Sequence, residues 1–145
     1  MDQFIEFVGN NWELFLALAV TLGLLLHNLL GEKLAGYKSV EPTEAIQLMN
    51  SQDAIIIDVR TDSERKEGHI PNSTHIPLGE FKKRMKELEG DKTRHIVCSC
   101  RSGHRSASAC SQLKKNGFEN IYNLRGGILA WQSANLPTSK KSKGK

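Results

Sequence analysis

Cysteine is scarce in this 145-residue chain. Its three cysteines are an odd number and too few for a disulfide scaffold, so a reducing compartment is the simpler reading. Four Pro and twelve Gly exclude collagen-like and mucin-like chains, and 39% hydrophobic with 25% charged residues excludes a wholly disordered one. No internal repeat is visible. No group of His, Cys or acidic residues has metal-ligand spacing, since His75 and His95 each stand without a companion. The most informative absence is of one charge sign. No Lys or Arg occurs before residue 32, so all 20 basic residues follow Gly31. Three acidic residues precede that point and thirteen follow it, which leaves the later part at +7. The mean hydropathy of −0.40 therefore averages two unlike segments.

From Leu14 to Gly31 there is no charged residue, and Leu and Ala occupy every helical face of Trp12 to Leu30. Nineteen helical residues at about 1.5 Å each span roughly 28 Å, close to the hydrocarbon thickness of a bilayer. A cleaved signal peptide wants a basic flank, but Asp2, Glu6 and Glu13 stand here. A buried core helix would need more partner surface than the remaining residues supply, and a soluble oligomerising helix would carry flanking charges. Residues 1–31 thus read as a transmembrane anchor with Trp12 at one interface, and residues 32–39 as a juxtamembrane linker. Lys33 and Lys38 follow the span and no basic residue precedes it. This orientation places the N-terminus outside and the following domain in the cytoplasm, as a single-pass protein of a bacterial inner membrane.

Residues 40–137 read as one α/β domain. Pro42 and Glu44 open a helix ending near Asn50. Ala54 to Ile57 is an apolar run of the kind buried on both faces of a parallel sheet, and Asp58-Val59-Arg60 leaves it for a polar loop. Ile70 to Pro77 is extended. Phe81, Met85 and Leu88 mark an amphipathic helix stopped by Gly90. His95 to Cys98 and Ile121 to Leu124 are further strands. Ser106 to Lys115 and Ile128 to Asn135 are helices, the first closed by Asn116-Gly117 and the second carrying Trp131 beneath the sheet. Alternating strands and helices predict a parallel sheet flanked by helices. Residues 138–145, with four Lys, read as a disordered tail.

The chemistry concentrates in Cys100-Arg101-Ser102-Gly103-His104-Arg105-Ser106, between a strand and a helix. Ligands bind at such strand ends, and a short loop entering a helix turns several backbone N–H groups toward one point. Gly103 permits a tight curl, and Arg101, His104 and Arg105 add positive charge. Each feature favours a thiolate, so Cys100 is expected as a partly exposed nucleophile in a cationic cradle.

The sequence resembles the single-domain rhodaneses, the thiosulfate sulfurtransferase family, and its N-terminal span resembles that of bacterial membrane-anchored rhodanese-like proteins. Three blocks carry the resemblance: Ile56 to Arg60 with Glu64 and Gly68-His69-Ile70-Pro71, the Cys100 to Ser106 loop, and Gly117-Phe118 with Asn123 to Trp131, closing at Leu136-Pro137. Two departures are Arg65, where an aromatic residue is frequent, and Asn72, where Gly is frequent.

The resemblance implies a rhodanese-like parallel sheet and a reaction. Cys100 would take the outer sulfur of thiosulfate as a persulfide and pass it to cyanide or another thiophilic acceptor. It implies that the N–H groups of Arg101, Ser102, Gly103, His104, Arg105 and Ser106 hold the persulfide, that Arg101 and Arg105 attract the anionic donor, and that Ser106 caps the helix. No cofactor is implied. The expected partners are a small sulfur donor, a small-molecule or protein acceptor, the lipid bilayer and membrane proteins, but no nucleic acid.

Asp58, Arg60 and His69 read as structural, because a carboxylate leaving a buried strand pairs with a nearby Arg. Cys98 reads as a buried small residue, with a resolving-thiol role as the sharper alternative, and Cys110 as core. Two rivals to sulfur transfer remain at this level. One is a membrane-tethered binding module. The other is a phosphatase-type enzyme, against which stands the spacing Cys-x4-Arg from Cys100 to Arg105, one residue shorter than that class uses.

Overall fold

Residues 1–140 are described by a computed structural model, and the chain divides into two units, Met1–Leu34 and Ala35–Lys145. The first unit is built from helix α1 (Asp2–Asn10) and helix α2 (Trp12–Ala35), whose last residue reaches past the unit boundary. The break at Asn11 is stitched by its side-chain amide, which donates to the Phe7 carbonyl at 2.8 Å, and Phe7 meets Phe15 edge-on. The α2 side chains from Leu14 to Leu30 are exposed around the whole helix, and α2 is long and apolar enough to cross a membrane. Its Thr21 hydroxyl folds back onto the Ala17 carbonyl, so the one hydroxyl in the apolar run is satisfied within the helix.

The linker expected over residues 32–39 is instead structured at both ends. Helix α2 continues to Ala35, and Lys38–Val40 forms strand β1. Three residues with one buried side chain give no period to read, which is why β1 is silent in the sequence. It pairs in parallel with β5 (Asn120–Leu124), Lys38 opposite Tyr122 and Val40 opposite Leu124. With β2 (Ile55–Asp58), β3 (Thr74–His75) and β4 (His95–Ser99) it completes a five-stranded, wholly parallel sheet in the order β1-β5-β4-β2-β3.

The central strands are largely apolar on both faces because both faces are covered. Ile56, Val97 and Leu124 point to one side, where they meet Ala45 of helix α3 (Pro42–Ser51) and Ile128 and Trp131 of helix α7 (Gly127–Ser133). Ile57, Ile96, Cys98 and Ile121 point to the other. They meet Phe81 of helix α5 (Leu78–Arg84), Met85 and Leu88 of the 3-10 turn that continues it (Met85–Asp91), and Ala109, Cys110 and Leu113 of helix α6 (His104–Lys115). The helix read from Phe81 to Leu88 thus changes to 3-10 geometry at Met85, with its apolar residues still buried. Phe81 is fully buried, worth about 1.5–3 kcal/mol relative to exposure. Trp131 lies beneath the sheet as expected, its indole N–H donating to the Pro137 carbonyl at 2.9 Å.

Two further expectations are corrected. The polar loop after Arg60 contains helix α4 (Asp62–Glu67), started by a capping box in which the Thr61 hydroxyl and the Glu64 carboxylate each hold the other's backbone N–H. All six α4 residues are polar, so no hydrophobic period announces it. Ser139 is also not free chain, because it exchanges two backbone hydrogen bonds of 2.8 Å with His69. The rest of the expected lysine-rich tail, residues 141–145, lies outside the described residues.

Candidate active site

Strand β4 ends at Ser99, α6 begins at His104, and the loop between them closes over the carboxyl edge of the sheet. Its shape is set from α7. The N–H groups of Ile128 and Leu129, which a helix start leaves without internal partners, donate to the carbonyls of Cys100 (2.8 Å) and Arg101 (3.3 Å). With those carbonyls tied to α7, loop N–H groups are left to face the Cys100 sulfur. The Gly103 N–H reaches Sγ at 3.0 Å. Gly103 can do so because it sits at φ +104°, where a side chain would be strained. Gly127 is equally constrained: at φ +58°, a Cβ there would meet the Cys100 carbonyl oxygen and approach the Arg101 carbonyl carbon to 2.6 Å.

The expectation of a partly exposed thiol is overturned, since Cys100 is 1% exposed. Burial opposes its ionisation. The Ser106 hydroxyl and the N–H groups of Ser106, Gly103 and Ser102 outweigh burial and hold the thiol below its ordinary value. Hydrogen bonds are the largest of the effects that favour the thiolate.

The loop cations divide. Arg101 is exposed and its guanidinium has no partner among the described residues. It lines a cleft of about 160 Å³ with Glu67, Leu129 and Gln132. Leu129 is the one large apolar side chain described as exposed outside the first unit. His104 is exposed at the start of α6. Arg105 is not available as a donor-attracting cation, because both its terminal nitrogens bind the Glu64 carboxylate, at 2.8 and 2.6 Å. That pairing, against partial burial, holds the Glu64 carboxyl down to about 2. Ser102 is exposed.

Ser106 is not the helix cap. Gly103 occupies that position, and Ser106 lies fully buried inside the first turn of α6. Its hydroxyl stands 3.3 Å from Cys100 Sγ and 2.5 Å from Oδ1 of Asn123, while Asn123 Nδ2 donates to the Gly103 carbonyl at 3.1 Å. Asn123 and Glu64 were not among the site residues drawn from the sequence. The signals were present, since Asn123 lies near the carboxyl end of the strand beside β4 and Glu64 stands three residues after a capping Thr.

Neighbouring groups serve the scaffold. Asp58 and Arg60 form a buried bidentate pair, and Arg60 also donates to the carbonyls of Glu64 and Gly68. Arg65 makes polar contacts, to Asp58 and twice to Ser73. Asn72 takes φ +60°, a conformation Asn tolerates and Gly favours, which accounts for the second departure. Cys98 is fully buried in the apolar layer against α6, and burial drives the Cys110 thiol far above its ordinary value.

The defining pattern of the Rhodanese-like domain matches residues 41–134. A protein of Allochromatium vinosum named "Sulfurtransferase" is 40% identical over 91 residues, covering 63% of this chain and 83% of its own length. A protein of Escherichia coli K12, "Uncharacterized protein YibN", is 28% identical over 138 residues, 94% of this chain and 96% of its own. The crystal structure of a rhodanese-related protein from Thermoplasma volcanium superposes with a TM-score of 0.65 at 30% identity, covering 71% of this chain and 98% of that one.

Proposed function

This chain belongs to the rhodanese-like family, and from that premise we propose that it is a membrane-anchored sulfurtransferase working through a persulfide on Cys100. The Cys100 thiolate attacks the outer sulfur of thiosulfate or a similar sulfane donor. The sulfur–sulfur bond of the donor breaks, its electron pair leaves on sulfite, and the negative charge passes to the outer sulfur of the new persulfide. A thiophilic acceptor then attacks that outer sulfur and expels the Cys100 thiolate, which regenerates the starting state.

The observation that carries this reading is the ring of donors around Sγ. With the Gly103 N–H at 3.0 Å and the N–H groups of Ser102 and Ser106 turned to the same sulfur, the loop favours an anionic sulfur before any substrate arrives. Arg101, whose guanidinium has no partner among the described residues, draws the donor to the loop, and the N–H groups from Arg101 to Ser106 hold the outer sulfur. A phosphatase reading would need Arg105 to turn from Glu64 to a phosphoryl oxygen. A binding-module reading leaves an acidified cysteine without a use.

The apolar helix α2 supplies the anchor, at about 36 Å for 24 residues. The Lys and Arg bias after it favours an orientation with the domain in the cytoplasm of a bacterium, at the inner membrane. A reporter active only outside the cytoplasm, fused after Lys145, should be silent, and strong activity would reverse the orientation.

The functional test is thiocyanate formation from thiosulfate and cyanide. Wild type should turn over, Cys100→Ser should not, and Cys98→Ser and Cys110→Ala should retain most activity if they fold. Turnover by Cys100→Ser would overturn the mechanism.

A further inference from the structure

A hydroxyl has one proton, and Ser106 has two acceptors competing for it. The orientation of Asn123 decides where it rests. Asn123 Nδ2 faces the Gly103 carbonyl at 3.1 Å, a pairing only an amide N–H can make, so the atom facing Ser106 is Oδ1, which only accepts. At 2.5 Å from Oδ1, Ser106 must be the donor. Its lone pairs then turn toward Sγ, where they suit a thiol S–H or a sulfur already bonded twice, but not a bare thiolate.

We propose that Asn123 is a positioning residue that competes with the Cys100 sulfur for the Ser106 proton, and so favours the sulfur-loaded cysteine over the empty thiolate. In the thiol, Ser106 donates to Asn123. When the sulfur ionises, the charge draws the proton to Sγ, because hydrogen bonds to ionised acceptors are the stronger ones. Asn123 Oδ1 is then left facing an oxygen without a proton between them. Sulfur transfer to Cys100 leaves Sγ uncharged, with single bonds to Cβ and to the outer sulfur, and the charge on the outer sulfur. The Ser106 proton can then return to Asn123. No proton leaves Ser106 at any stage; only its direction changes. The inference rests on the persulfide reading above and adds a preference for the loaded state to it.

The other charged or titratable groups about the sulfur are Arg101 and His104 in the loop, Arg105 with Glu64 of α4, Asp58 with Arg60 after β2, and Cys98 and Cys110 in the same apolar cluster. Among the described residues no side chain of these groups hydrogen-bonds to the Ser106 hydroxyl or the Asn123 amide, so the two act as a separable pair.

The test is the pH dependence of alkylation at Cys100, read on its own peptide in the full-length protein. The variants are wild type, Asn123→Ala, Ser106→Ala and the double substitution. Removing the competitor should lower the Cys100 midpoint by about one pH unit, the size of one hydrogen bond to a charged group. Ser106→Ala should lie at or above wild type, and Asn123→Ala should add nothing in that background. A midpoint that does not fall in Asn123→Ala, or an Asn123 effect that persists without the Ser106 hydroxyl, would overturn the proposal. If Asn123→Ala fails to fold, Asn123→Asp takes its place. Its carboxylate should raise the midpoint more with Ser106 present than with Ser106→Ala, and equal rises would overturn the proposal. A protein that shows this order of midpoints yet never gains sulfur would refute the sulfurtransferase reading and leave the proton competition standing.

Discussion

Arg105 and Glu64 bind each other through two parallel hydrogen bonds, so the second arginine of the cysteine loop is committed to α4 rather than to a substrate. The pair ties the first turn of α6 to a helix that its own capping box already holds. Its role is to fix the loop, and it leaves Arg101 to meet the anion.

That assignment gives a pH signature. The Glu64 carboxyl lies near 2 in the folded protein against an ordinary 4.5, so its contribution is complete above pH 4.5 and is lost as pH falls toward 2. Glu64→Gln should cost about 1 kcal/mol at neutral pH, a partly solvated pair being worth less than its carboxyl shift suggests. The gap in Tm between wild type and variant should shrink steadily from pH 4.5 downward. A gap independent of pH would show that the pair is not what Glu64 contributes.

Gly127 should tolerate no side chain. Its positive φ and the contacts a Cβ would make with the Cys100 and Arg101 backbone predict a loss of about 2–3 kcal/mol for Gly127→Ala. Misplacing the loop should lower sulfur transfer by about 100-fold even in molecules that stay folded. Gly79→Ala is the control: nothing lies within 4 Å of its Cβ position, and neither stability nor turnover should fall. Chemical denaturation and steady-state kinetics on both variants check this.

Arg101 should act on binding alone. Arg101→Ala should raise KM for thiosulfate about tenfold, the value of one modest ionic contact, with kcat and Tm nearly unchanged. Added salt should raise KM in wild type and have little effect in the variant. A fall in kcat at unchanged KM would place Arg101 in the transition state instead.

Much of this was legible in the sequence because buried parallel strands are short apolar runs. Ala54 to Ile57, His95 to Cys98 and Ile121 to Leu124 could be read directly, and the Cys100 loop announced itself by lying between a strand and a helix. The elements that escaped have no period to read. β1 is three residues long, and α4 buries no side chain, deriving its stability from its cap and its neighbours. Within the site, residue type was legible and partnership was not. Arg105 looked like a substrate cation until α4 supplied Glu64, forty-one positions away. Ser106 looked like a cap because Ser caps helices, but Gly103 took that position and left the hydroxyl to the sulfur and Asn123. Cys100 looked exposed because nucleophiles must be reached, yet hydrogen bonds can acidify a thiol that α7 and the sheet enclose.

The central claim is that Cys100 carries sulfur between donor and acceptor. Intact-mass measurement of the purified protein, before and after thiosulfate and again after cyanide, tests it most directly. The account predicts one added sulfur atom, located on the Cys100 peptide, absent in Cys100→Ser and removed by cyanide. A mass unchanged by thiosulfate in folded wild-type protein, or the same gain in Cys100→Ser, would contradict it.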